Sequence, residues 1–204
     1  MIDAVIDLSH WQGLIDFNAL RDAGILGVIL KATQGSHGVD STFTHKLLRA
    51  HDADLLIGAY HFADDSPPAM QAAHFLTVAS GIPLLAIDIE PNPRGGSITV
   101  MGAAELVHCM HHIRPHLPKI YIGKYGPDGR GTDLPNSILS RCDLWVPKYH
   151  HASATLGAHD LPSGWTDWML WQHTSTGRVA GYGGDVDRSR FNGTEDELKA
   201  WWES

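Results

Sequence analysis

The sequence predicts an α/β fold, a modified and incomplete (β/α)8 barrel forming a single domain over residues 1–204. Three observations lead there. Apolar runs of strand length alternate with helical patterns through the first half of the chain, which is the mark of a parallel sheet. About eight such runs can be counted, which favours a closed barrel over an open sheet. Four acids, Asp7, Asp88, Glu90 and Asp187, fall at or just beyond the C-terminal ends of these runs. In a parallel barrel those ends surround one cleft. Little room for helices remains between the later strands, so the second half of the barrel is expected to lack them. Closure would place Asp7 beside Asp187.

The elements follow in order. Residues 4–8 read as the first strand, with Asp7 near its end. Asp16 is positioned to cap a short helix through Leu20 and Ala23, and Gly24 stands at its C′ position. Residues 25–31 are a second strand, followed by a polar loop over 32–36. A helix is expected near 42–51, a third strand at 55–62, and a helix opened by Pro67 and Pro68 that runs to about Ala79. Residues 84–90 are the fourth strand. A helix over about 99–113 ends before Pro115 and Pro118. Residues 119–122 are strand five, and the Gly- and Pro-rich stretch 123–136 should be irregular. Later strands are expected at 144–146 and 168–172, with a last short one at 185–187. Thr194 and Glu197 form a capping box for a terminal helix that carries Leu198, Trp201 and Trp202.

The stretch Leu84-Leu85-Ala86-Ile87-Asp88-Ile89-Glu90 carries the chemistry. Side chains alternate along a strand, so Asp88 and Glu90 share one face and Ile87 and Ile89 share the other. Two strand steps put the acids' Cβ atoms about 6–7 Å apart. Two negative charges about 7 Å apart repel by roughly 2–2.5 kcal/mol at an effective dielectric near 20. That separates their pKa values by roughly 1.5 and keeps one acid partly protonated. One protonated and one ionised carboxyl on one face is the equipment of a glycosidase; the plainer alternative for an isolated D-x-E is an Asp that caps the next turn and a Glu paired with a lysine.

Composition narrows the partners. The chain has 204 residues, 43% hydrophobic, with a formal charge of −8. No Lys/Arg cluster is present, so neither nucleic acid nor an anionic membrane is an expected partner. No signal peptide and no 18-residue apolar span is read, so export, if it happens, would use another route or a leader outside the given sequence. Cys109 and Cys142 are expected as free thiols. His108, His112 and His116 lack an H-E-x-x-H pattern and are read as surface histidines, and no metal or cofactor is expected. His10 and His61 lie near the acids and are read either as hydrogen-bonding supports or as packing. Asp64-Asp65 are read as solvated acids before a helix, and the Trp201-Trp202 pair as packing.

Several segments resemble the glycoside hydrolase family 25 lysozymes, the N,O-diacetylmuramidase type found in phage endolysins, bacteria and some fungi. They are Asp7-Leu8-Ser9-His10-Trp11-Gln12-Gly13, Ile15-Asp16-Phe17, Lys31-Ala32-Thr33-Gln34-Gly35, Gly58-Ala59-Tyr60-His61-Phe62, Asp88-Ile89-Glu90, Leu144-Trp145-Val146, and Trp171-Gln172 followed by Val186-Asp187 and Phe191. They span nearly the whole chain in the family's order. The resemblance implies a TIM-like barrel of five β/α units plus further strands. It implies a muramidase that cuts the β-1,4 bond from N-acetylmuramic acid to N-acetylglucosamine in peptidoglycan. Glu90 would be the general acid. Asp88 would stabilise developing positive charge or orient the substrate's N-acetyl group. Asp7 and Asp187 would hold sugar or water, and Lys31 would line the cleft. Tyr60, Trp11, Trp145, Tyr149 and Trp171 would form aromatic walls. The rival readings are a chitinase-like endo-β-N-acetylglucosaminidase and a non-catalytic glycan-binding barrel. The expected setting is the bacterial wall, periplasmic or extracellular, with the chain acting as a monomer and without a separate wall-binding domain. Three departures stand out: Gln34 where many relatives have Glu, Pro147-Lys148-Tyr149 where Ala-polar-Tyr is commoner, and Arg188-Ser189 after Asp187 where Leu-Asn is usual.

Overall fold

The computed structural model describes residues 1–127, 137–149 and 155–204. Its strands are β1 (Ile2–Leu8), β2 (Gly27–Gln34), β3 (Gly38–Val39), β4 (Leu56–Phe62), β5 (Leu84–Ile89), β6 (Lys119–Ile122), β7 (Leu144–Pro147), β8 (Leu170–Val179) and β9 (Tyr182–Phe191). Its helices are α1 (Phe17–Asp22), α2 (Phe43–Asp52), α3 (Pro68–Val78), α4 (Val100–Ile113) and α5 (Glu195–Trp202). Eight of the strands close a ring in the order β1-β2-β4-β5-β6-β7-β8-β9, and β9 returns to β1. β3 is a hairpin extension of β2 outside the ring. The barrel is incomplete in the sense expected: beyond α4 only short 3-10 turns lie between the described strands.

Local chemistry sets the helix ends. Asp16 accepts a hydrogen bond from the Ala19 amide at 3.1 Å and caps α1. Gly24 follows α1 with φ +90, a left-handed turn that favours glycine. Thr99 caps α4 by accepting from the Gly102 amide at 3.0 Å. Thr194 and Glu197 form the reciprocal box at the start of α5.

Alternation along the strands creates two cores. One face of the strands, including Ile6, Leu30, Ile87, Ile89 and Ile120, packs against Phe17, Phe43, Phe75 and Leu106 of the outer helices. The other face, Val5, Ile29, Leu84, Ala86, Tyr121, Trp145, Leu170 and Phe191, closes on itself inside the barrel. α5 plugs the base of that interior with Leu198, Trp201 and Trp202. Gly27 makes room for the plug, because a Cβ there would lie 2.5 Å from the Trp202 ring.

Two expectations about elements need correction. β2 continues to Gln34 where a loop was expected, because Thr33 and Gln34 find ladder partners in His61 and Phe62 of β4 and in β3. β9 is neither short nor parallel: it runs antiparallel to both β8 and β1. β8 and β9 form a long hairpin turning at Gly181, φ +82. Much of it is exposed, so no apolar run marks its length. Residues 123–127 are irregular, as expected. The rest of that expected loop, 128–136, lies outside the described residues.

Candidate active site

Each ring strand contributes one inward side chain near the same end of the barrel. β1 gives Asp7, β2 Lys31, β4 Tyr60 and β5 Asp88; β6 gives Tyr121, β7 Trp145, β8 Gln172 and β9 Asp187. Together they floor one open cleft of about 350 Å³. Glu90 stands one turn of the alternation beyond Asp88, on the wall of the cleft and only partly buried. Asp7 and Asp187 are cross-strand partners. The antiparallel course of β9 means that Asp187 reaches the rim from within its strand, not from a C-terminal end.

All four carboxyls are pushed above the ordinary carboxylate range, and burial is the largest cause for each. For Asp88 the neighbouring Glu90 charge adds to the rise and the Lys31 ammonium opposes it. Glu90 is raised by burial and drawn back by Lys31. Burial lifts Asp7 well above its usual value, and Asp187 adds to that. Burial, then the Glu90 charge, brings Asp187 to about 6. Mutual repulsion, the cause inferred from spacing alone, therefore ranks second to desolvation. Asp88 is 7% exposed, and its Oδ1 is buried without a hydrogen-bond partner among the described residues. Lys31 donates to Gln34 Oε1 at 2.9 Å and lies over the Phe62 ring. Burial lowers its pKa against the pull of Asp88, Asp40 and Glu90.

A polar relay crosses the floor. Tyr121 and Tyr149 each donate a phenol proton to Gln172 Oε1, at 2.9 and 2.5 Å. The Gln172 amide then donates to Asp7 Oδ2 at 2.9 Å. Two donors on the carbonyl oxygen leave the NH2 group only one way to face, so the tyrosines orient the donor aimed at Asp7. Trp145 is held edge-on against Tyr121, and its indole N–H donates to Ser189 Oγ at 3.0 Å.

The rim carries Trp11, which is 65% exposed. Its loop is braced from beneath. The buried Lys46 ammonium donates to the carbonyls of Ser9 and Gln12 at 2.5 and 2.6 Å. Asp40 accepts from both the backbone and the ring of His10, at 2.9 and 3.0 Å. A large apolar ring held in solvent by such anchoring has no packing purpose.

The sequence-predicted residues divide cleanly. Asp7, Asp88, Glu90, Asp187, Lys31, Tyr60, Trp11, Trp145 and Tyr149 line the cleft. Trp171 does not. It faces the outer core, its indole N–H donates to the Lys148 carbonyl at 2.8 Å, and Arg190 stacks on it. The expectation that it walls the cleft is corrected on parity: Leu170 points inward, so Gln172 does too and Trp171 points out. His61 also faces outward, where both ring nitrogens are hydrogen-bonded, to Thr33 and Gln71, away from the acids. Tyr121 and Gln172 were missed as site residues, though the same alternation reveals both. No group of three His, Cys, Asp or Glu side chains among the described residues is arranged to hold a metal.

A family model for Glycosyl hydrolases family 25 matches residues 6–182. The chain belongs to glycosyl hydrolase family 25. Lysozyme M1 of Streptomyces globisporus is 30% identical over 210 residues, covering 96% of this chain and 69% of that relative. The bacterial lysozyme from Streptomyces coelicolor superposes with a TM-score of 0.84 at 28% identity, covering 100% and 99% of the two chains. The muramidase from Acremonium alcalophilum follows the same path with a TM-score of 0.79, 28% identity and the same coverage. Against this family-25 background the three departures take on physical meaning. Gln34 accepts from Lys31, so the ammonium has a neutral partner there and keeps its charge for the acids. Pro147-Lys148-Tyr149 still delivers the Tyr149 hydroxyl to Gln172. Arg188 points away to Asp3, while Ser189 anchors Trp145.

Proposed function

We propose that this family-25 hydrolase is a muramidase that cleaves the β-1,4 bond between N-acetylmuramic acid and N-acetylglucosamine in bacterial peptidoglycan. The muramidase and lysozyme names of its relatives support the substrate class. The observation that carries the mechanism is the buried Oδ1 of Asp88, which has no hydrogen-bond partner among the described residues, in the cleft that Glu90 also lines from just past the end of β5. A buried acceptor left unpaired is costly unless a ligand supplies the donor. The N–H of the substrate's N-acetyl group is such a donor. Held there, the acetamido oxygen attacks the anomeric carbon as the glycosidic C–O bond breaks. Glu90 gives its proton to the departing oxygen. The Glu90 carboxylate then takes a proton from water, which adds to the anomeric carbon and reopens the cyclic intermediate. One water is consumed and Glu90 is restored.

Asp7 and Asp187 hold the incoming water or a sugar hydroxyl, Lys31 balances the acids, and Tyr60 and Trp145 form the floor under the sugar. Trp11 and Tyr149 are the walls. In this reading the barrel, residues 1–204, works as a monomer on the wall outside the cytoplasm, with no metal, nucleic acid or membrane partner. The formal charge of −8 argues against nucleic acid. No described helix is long and apolar enough to cross a membrane. Mass spectrometry of digested peptidoglycan tests the bond. New reducing ends on N-acetylmuramic acid are expected; reducing N-acetylglucosamine overturns the reading.

A further inference from the structure

Among the described residues, two side chains that carry a positive charge line the cleft, Lys31 and Arg94, together with the His10 ring. Lys31 faces the acids and Gln34, and His10 is paired with Asp40. Arg94 is different. Its guanidinium lies 5.5 Å from the exposed Trp11 ring and has no carboxylate partner among the described residues. The side chain is exposed, and the backbone that carries it is tied down. The Arg94 amide donates to Asn92 Oδ1 at 3.1 Å. The Asn92 amide in turn donates to Ser97 Oγ at 2.8 Å. On the other side, Trp11 sits on the loop that Lys46 and Asp40 brace, with the His10 ring against it at 4.6 Å. A stacked guanidinium keeps its N–H edge free for a planar anion, and it needs little further ordering to bind one.

The cleft floor is acidic, so a bare positive group at its mouth is an electrostatic exception. A neutral polymer of N-acetylglucosamine has nothing to offer it. A muramyl residue does, since its lactyl ether ends in a carboxyl group and any stem peptide attached there carries acids of its own. We propose that Arg94 reads the acidic substituent of the substrate, receiving a carboxylate of the muramyl residue while Trp11 packs against the adjoining sugar. The inference rests on the muramidase reading and adds to it the residue that separates acid-bearing from neutral glycan.

The test uses defined glycan strands in two forms, stem-bearing and stem-free, each before and after conversion of its carboxyls to amides. The native chain, Arg94→Gln and Arg94→Lys are compared by kcat/KM, with thermal melting to verify folding. Arg94→Gln should lose roughly tenfold on a carboxylate strand and nothing on its amidated counterpart. Arg94→Lys should recover part of the loss, and high salt should erase the difference. A loss confined to stem-bearing strands assigns the stem acids, a loss confined to stem-free strands assigns the lactyl carboxylate, and a loss on both shows that Arg94 takes either. Equal loss on charged and amidated strands, or no loss on either, overturns the inference and leaves the muramidase reading intact. Failure of the native chain to cut any of the four sinks that reading, and the inference with it.

Discussion

The two ends of the barrel interior are built from the same strands and have opposite characters. At the base, Val5, Ile29, Leu84, Leu170 and Phe191 meet the tryptophans of α5 in a sealed apolar plug. Two to four residues away on the same strand faces come Asp7, Lys31, Asp88, Gln172 and Asp187, around an open cleft. Backbone geometry does not distinguish the ends; side-chain chemistry does. Apolar side chains buried at the base stabilise the fold at roughly 1.5–3 kcal/mol each. Carboxyls buried at the rim subtract from stability, as their raised pKa values record. The base therefore holds the barrel together, and the rim spends part of that stability on holding acids out of water.

Substitutions at the two ends should consequently separate activity from stability. The largest effect belongs to Glu90→Gln. Peptidoglycan clearing should fall by about 10²–10⁴-fold, the worth of a positioned general acid, with melting unchanged or slightly raised. Retained activity would remove Glu90 from the acid's role. Asp88→Asn should cost a large but smaller factor, because an amide keeps the shape and loses the acceptor strength. At the base, Trp202→Ala should destabilise by about 3–5 kcal/mol while the fraction still folded turns over normally. A Trp202→Ala protein that melts like the parent would show that α5 is not the plug described. Gln172→Met tests the boundary between the two ends. It strands two phenol hydroxyls and removes the donor that holds the Asp7 pKa down. Activity should drop roughly tenfold. The Asp7 titration, followed by NMR, should move up; an unmoved titration would break the relay.

The barrel was legible because its evidence is local. Apolar runs of strand length mark β1, β2, β4 and β5, and Asp16, Thr99 and Thr194 announce their helices. The acids were legible because a D-x-E on an apolar strand has one physical reading for its faces. What stayed hidden depends on the partner across the ladder. Nothing in Tyr182–Phe191 shows that it runs antiparallel, because its polar, glycine-rich sequence carries no run and no helix connects it. Trp171 was placed in the cleft on its chemistry, since an aromatic suits a sugar; strict alternation from Leu170 would have chosen Gln172. The dominance of burial over repulsion in the acids' pKa values also needs the closed ring, which removes water from one side of every carboxyl.

Asp187→Asn sharpens the comparison most finely, because it asks what one rim acid costs the fold. The folded-state pKa of Asp187 is about 6 against an ordinary 3.8. Below about pH 4 the carboxyl is protonated in the folded and unfolded chains alike, and burial carries no charge penalty. Between about pH 4 and 6 the unfolded chain releases its proton and the folded chain keeps it, so stability falls as pH rises. Above about pH 6 both are ionised and the full penalty stands. A rise of about two in pKa corresponds to about 3 kcal/mol, which partial exposure to solvent reduces to about 1–2 kcal/mol. The asparagine keeps the volume and cannot ionise. The variant should therefore match the parent in melting at pH 4 and exceed it at pH 7, with the gap opening between about pH 4 and 6. Asp187 touches the field of Glu90, so the same variant should also let Glu90 ionise more readily and move the alkaline limb of activity to lower pH. A melting difference that is flat with pH would mean that this acid sits in the rim at no cost, and the contrast between the two ends would then rest on Asp7 and Asp88 alone.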